Sequence, residues 1–163
     1  MLEHVGAYRY KEYFNKIYNL LTDDGIALVH TISHMEEPYP SNPWIQKYIF
    51  PGGYAPALSE LFPAIEKAGL WASDVEILRM HYAWTLKIWR ERFVANWDKA
   101  AKLYDERFCR MWEFYLAASE VAFRRQGHMV AQIQLTRSVD VLPYTRTYIT
   151  EWEDVHGHIG FST

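Results

Sequence analysis

Cys109 is the only cysteine in the chain. A single cysteine allows no intrachain disulfide framework and no cysteine-based zinc site, and it fits a reducing compartment. Charge of one sign is also missing. Seventeen Lys and Arg against twenty Asp and Glu leave a net charge of −3, so the chain has no basic face of the kind that holds nucleic acid. No apolar run is long enough to cross a bilayer, and no signal-peptide pattern occurs. A visit to a membrane surface stays open. The sequence contains no glycine-rich phosphate loop, no G-x-S-x-G elbow and no H-E-x-x-H pair. His156 and His158 could meet at a metal, but two histidines in a polar tail are more often solvated, and no metal site is expected.

The chain does have core-building residues and aromatic rings. Its 163 residues suit one domain, and half of them are hydrophobic. Aromatics make up 17%, with seven Trp and twelve Tyr. Such side chains bury large areas, while Tyr and Trp also need partners for their polar tips. This composition suits an apolar cavity or a Trp-rich core equally.

The most telling stretch is Gly25-Ile-Ala-Leu-Val-His-Thr-Ile-Ser33. Asp23-Asp24-Gly25 signals a turn. The unbroken apolar run Ile26–Val29 after it reads as a strand buried on both faces, the parallel kind. Ligands gather beyond the carboxyl ends of strands in open α/β sheets. His30 and Ile32 sit there on one side of the strand.

Around this strand the periodicity predicts helices at 8–21, 44–48, 59–68, 83–96 and 99–125, with Asp98 capping the last and longest. Further strands are expected at 71–79 and 128–136. Residues 34–55, rich in Pro and Gly, read as a loop that is either a lid over a site or a plain surface excursion. The part after Ser138 reads as a loosely ordered tail.

Several blocks together resemble the cyclopropane-fatty-acyl-phospholipid synthases and mycolic acid cyclopropane synthases. They are Met1–Gly6, His30-Thr31-Ile32, Pro43-Trp44, Lys47–Gly53, Leu78-Arg79, His81-Tyr82, Thr85-Leu86, Trp89 and Glu91-Arg-Phe93. The most specific block is Tyr104–Leu116, followed by Ala122-Phe-Arg124, Val141-Leu-Pro143 and Thr145-Arg146. The resemblance runs in one register from Met1 to about Ile149.

The resemblance implies an α/β fold, the carboxyl-terminal half of a Rossmann-like S-adenosylmethionine-dependent methyltransferase. About three strands with flanking helices and a long aromatic-rich helix are expected. The family's enzymes transfer a methyl group to a cis double bond of a lipid acyl chain. A carbocation forms, a base removes a proton and the three-membered ring closes; the family's base is a bound bicarbonate. Carried over residue by residue, Glu3, His30, Ile32 (through its backbone N–H) and Tyr82 match the positions that hold it. A further cysteine ligand of the family has no counterpart, because Cys109 belongs to the long helix.

These residue types suit that chemistry. A carbocation needs an apolar, closed site. Aromatic faces stabilise a cation by roughly 0.5 to 2 kcal/mol each. A small base must be pre-positioned. Donors from His30 and backbone N–H groups would fix an oxyanion, and Glu3 would accept from its hydroxyl.

The family's glycine-rich cofactor turn lies before residue 1. Residues 1–150 therefore read as the carboxyl-terminal part of a methyltransferase domain, and 151–163 as a tail. By this reading the chain alone does not bind S-adenosylmethionine, and it is an enzyme only when joined to the missing half. The Gly25–Ile32 strand would be an open edge that invites a partner half or self-association. The expected partner is a phospholipid or other lipid acyl chain, met in the cytoplasm or at the periphery of the inner membrane. The competing readings are a related lipid or amine methyltransferase and a non-catalytic remnant that needs a partner.

Overall fold

Three apolar stretches form one antiparallel sheet in the computed structural model, which describes residues 1–157. They are β1 (Ile26–His34), β2 (Trp71–Ile77) and β3 (His128–Thr136). The strand order is β1-β3-β2, with β3 paired antiparallel to both neighbours. This corrects the expectation of a parallel strand buried on both faces. Leu28 is 62% exposed and Ile26 48% exposed. A short apolar run does not disclose its pairing direction, and β1 is an edge strand with one neighbour among the described residues. Its other edge carries no ladder partner there.

Helices cover the two sides unequally. α1 (Tyr10–Leu20) and α3 (Leu58–Lys67) lie on one side. Phe14, Leu61 and Ile65 pack there against Val29, Ala131, Ile133 and Leu135, the residues that alternate inward from β1 and β3. Each large side chain of this cluster contributes about 1.5–3 kcal/mol of burial. On the other side lie α4 (Arg79–Ala95) and α6 (Glu106–Arg125). Their Ala83, Leu86, Leu116 and Phe123 meet Val130, with Ile32 at the margin.

α2 spans Pro43–Tyr48, and α5 spans Trp97–Leu103. The expected single helix over 99–125 is thus two. Asp105 interrupts it: its backbone is extended, and its side chain accepts from the Phe108 N–H at 2.6 Å, capping α6. Asp98 lies inside α5 instead. α4 begins a turn earlier than periodicity suggested and takes Tyr82 into its first turns. Past Ser138 the chain is also more regular than expected, with α7 at Thr147–His156. The segment is tied to the sheet, because the Tyr148 hydroxyl donates to Gln134 Oε1 at 2.8 Å and Arg146 pairs with Asp74. His158, weighed above as a metal ligand with His156, lies outside the described residues.

Candidate active site

Glu3 sits in a single helical turn, Leu2–His4, anchored by the fully buried Leu2. That turn brings its carboxylate to the carboxyl half of β1. Oε1 accepts from the Ile32 N–H at 2.8 Å and from the Thr31 hydroxyl at 2.9 Å. Oε2 faces the amino terminus at 3.0 Å. Burial pushes the Glu3 pKa up, but hydrogen bonds from its own N–H, Ile32, the amino terminus and Thr31 outweigh burial and hold it below the usual carboxylate value. Glu3 is therefore an ionised acceptor at neutral pH.

Tyr82 reaches the same place from α4. Its ring packs against Phe123 at 4.9 Å and edge-on to Trp89 at 6.0 Å. Burial, and then the Glu3 charge, raise its pKa, so the phenol stays protonated and can donate. Glu3, Ile32 and Tyr82 line one cavity of about 700 Å³. Its walls come from α6, with Phe114, Tyr115 and Ala118, and from the 34–55 segment.

That segment covers the cavity, with Trp44 and Phe50 turned onto it. It is stitched in place by polar bonds that its Pro and Gly residues make geometrically accessible. Ser41 Oγ and Gln46 Nε2 both donate to the Gly53 carbonyl, at 2.8 and 2.6 Å. The Gly52 N–H donates to Gln46 Oε1 at 2.9 Å, with Gly52 in the left-handed region at φ 76°. The Tyr54 N–H donates to the Glu3 carbonyl at 2.8 Å. The Tyr54 hydroxyl donates to Glu60, and burial with that carboxylate pushes its pKa up to about 12.

His30 is placed elsewhere. It lies exposed on the more open side of the sheet, opposite Gln132 in the β1–β3 register, with Nδ1 3.2 Å from Gln132 Nε2. It does not line the cavity. Three other histidines do: His4, beside Glu3, and His34 and His128, opposite each other in the register. The period of two was the available signal, since His34 continues the side carrying His30 and Ile32. Extending the strand by one residue beyond Ser33 would have found it.

The result is a chamber walled largely by aromatic rings, lined by one ionised carboxylate, Glu3, and by four phenols, among them Tyr82. Such a chamber can take an apolar chain, exclude water and handle a single proton. Among the described residues no group of three or more His, Cys, Asp or Glu is placed to hold a metal. No helix of the described residues is long and apolar enough to cross a membrane.

Comparison with known proteins points the same way. The chain is 37% identical over 140 residues to the cyclopropane-fatty-acyl-phospholipid synthase of Escherichia coli K12, covering 86% of this chain and 36% of that protein. It is 41% identical over 130 residues to the tuberculostearic acid methyltransferase UfaA1 of Mycobacterium tuberculosis, covering 76% of this chain and 30% of that one. Among solved structures, the mycolic acid cyclopropane synthase CmaA1 complexed with SAH and CTAB superposes with a TM-score of 0.76 at 29% identity. That match covers 82% of this chain and 52% of CmaA1. The chain thus spans well under two thirds of the length of each protein it matches. The model of the mycolic acid cyclopropane synthetase family matches residues 1–133, and the chain belongs to that family.

Proposed function

We propose that this chain supplies the acyl-chain chamber and the proton-handling residues of an S-adenosylmethionine-dependent methyltransferase that cyclopropanates cis double bonds of lipid acyl chains. The observation that carries the reading is the convergence of Glu3, Ile32 and Tyr82 on one aromatic-walled cavity of about 700 Å³. The CmaA1 structure, solved with SAH and the long-chain amphiphile CTAB, supports both cofactor class and ligand class.

In this reading the methyl donor is held outside the described residues. No glycine-rich turn follows β1, β2 or β3: β1 leads into Met35-Glu-Glu, β2 into Leu78-Arg79 and β3 into Arg137-Ser138. Tight binding of S-adenosylmethionine by the 163-residue chain in a calorimetric titration would overturn this division. The edge of β1 from Ile26 to His30, short of the single His34–Ala57 bridge, is the place where the remainder of the sheet, on the same or another polypeptide, would add. The protein would meet lipid from the cytoplasm, at the periphery of the inner membrane, with the exposed rings of Trp84 and Phe114 near the bilayer surface.

For the proton step, the donor set around Glu3 suits a small oxyanion. Tyr82 can donate, the Ile32 N–H is held by Glu3, and Glu3 can accept from a hydroxyl. Bicarbonate bound there would supply a proton acceptor. Glu3 would orient it, Tyr82 would donate to it, and the rings of Tyr115 and Phe123 would keep water away from a developing cation.

The test joins the chain to the amino-terminal portion of the E. coli relative and supplies S-adenosylmethionine with vesicles of cis-unsaturated phospholipid. The expected product has gained one methylene and lost its alkene, with dependence on bicarbonate. Retention of an alkene, or a new branch methyl, supports the second reading, a methyltransferase that adds a plain methyl. The 41% identity to UfaA1 favours that alternative. No transfer under any of these conditions leaves a non-catalytic remnant.

A further inference from the structure

Three buried side-chain polar atoms among the described residues lack a hydrogen-bond partner: the Tyr10 hydroxyl and both ring nitrogens of His34. His34 is 2% exposed. A buried donor and acceptor left empty cost stability, so an imidazole with neither nitrogen paired calls for an explanation. The ring lines the cavity, with the Tyr39 ring 4.4 Å away and the His128 ring at 6.4 Å. His128 stands directly opposite in the register and also lines the cavity.

A neutral imidazole presents one N–H donor and one lone pair. A hydroxyl presents the same two functions in reverse. An anion is a poor match here. The Glu36 carboxylate acts on His128 at this end of the cavity. A metal is no better served, since only two ligating side chains converge.

We propose that His34 and His128 form a hydroxyl-binding subsite at one end of the cavity, which holds an alcohol group carried on an otherwise apolar chain. The subsite rests on the reading of the cavity as an acyl-chain chamber and narrows the ligand to hydroxylated lipid chains. His128 Nδ1 faces the Gln126 carbonyl at 3.4 Å and donates to it, so its Nε2 accepts from the hydroxyl while His34 donates to the hydroxyl oxygen. Two residues along a strand span about 7 Å, so one ligand chain can reach both His34 and the Glu3 carboxylate seated on Ile32. A hydroxyl held at His34 would fix how far the chain advances past Glu3 and Tyr82, and so which carbon is presented there.

Two isomeric probes test this: 1-decanol and methoxynonane, equal in heavy atoms but differing in the hydroxyl donor. Each is titrated into the 163-residue protein with tryptophan fluorescence as the readout, since Trp44 lines the cavity. The alcohol is expected to bind roughly tenfold more tightly. His34→Leu is expected to erase that preference while leaving methoxynonane binding in place. The unliganded variant should melt no lower than wild type, because no hydrogen bond is lost. Equal binding of the two probes by the wild-type protein overturns the subsite and leaves the chamber standing, and this comparison needs no variant to fold. Failure of both probes to bind overturns the chamber and the subsite with it. A preference that survives His34→Leu, or a variant that melts well below wild type, overturns the assignment to His34.

Discussion

On the side of the sheet facing α1 and α3, Phe14, Leu61, Ile133 and Leu135 are fully buried, and the apolar cluster is continuous from helix to strand. On the side facing α4 and α6, the core is shorter. Val130 and Ile32 are covered, but Leu28, two pairs further along β1, is 62% exposed. The cavity, Tyr82 and the two unpaired nitrogens of His34 belong to this second side. The difference teaches a division of labour. Dense packing on one side supplies the stability that lets the other keep a hollow, a half-buried carboxylate and an empty imidazole, each of which costs something. Sites that break local rules are compensated elsewhere in the fold.

The contrast between the sides can be broken by mutation. The largest effect is expected from Phe14→Ala, which opens a hole in the closed side and should cost about 3–5 kcal/mol by chemical denaturation. A cost below about 1 kcal/mol would mean that the closed side is not the stabilising one. Glu3→Ala is expected next, at roughly 1–3 kcal/mol, because it strands the Ile32 N–H and the Thr31 hydroxyl. Its signature is also electrostatic. The Glu3 pKa is lower folded than unfolded, so its contribution is present above the ordinary carboxylate range. That contribution is lost as pH falls through the folded value. A stability–pH profile of Glu3→Gln should therefore be flatter than wild type on the acid side, and an equally steep profile would count against the assignment. The smallest effect is Leu28→Ser, expected within about 0.5 kcal/mol in this chain. A loss of several times that would show that the open side is covered in solution.

Much of this was legible in the residues. The three strands and most helices followed from periodicity, because apolar stripes are what a two-sided sheet imposes on its chain. Pairing direction was not legible. The Ile26–Val29 run is as compatible with a central parallel strand as with a lightly covered edge, and only the position of β3 between its neighbours decides. The split at Asp105 was missed because Asp98 looked equally able to cap; the Phe108 N–H identifies which one does. At the site, a family resemblance named Glu3, Ile32 and Tyr82, and the fold brings those three to one cavity. It carries His30 to Gln132 on the same sheet side but beyond the cavity. The strand period could have found His34, but its meeting with His128 was not legible, because the two lie 94 residues apart and meet only through the antiparallel register.

Glu3 does two jobs with two different groups. Its carbonyl holds the Tyr54 amide of the covering segment, while its carboxylate holds the Ile32 amide of β1. Cover and strand are therefore fastened by one short turn, and Leu2 alone roots that turn in the core. Loosening the turn releases both amides together. In hydrogen exchange Tyr54 and Ile32 would then behave as members of one opening unit, although they sit on separate elements. A ligand that competes for the Glu3 carboxylate would therefore be felt at Tyr54 as well as at Ile32.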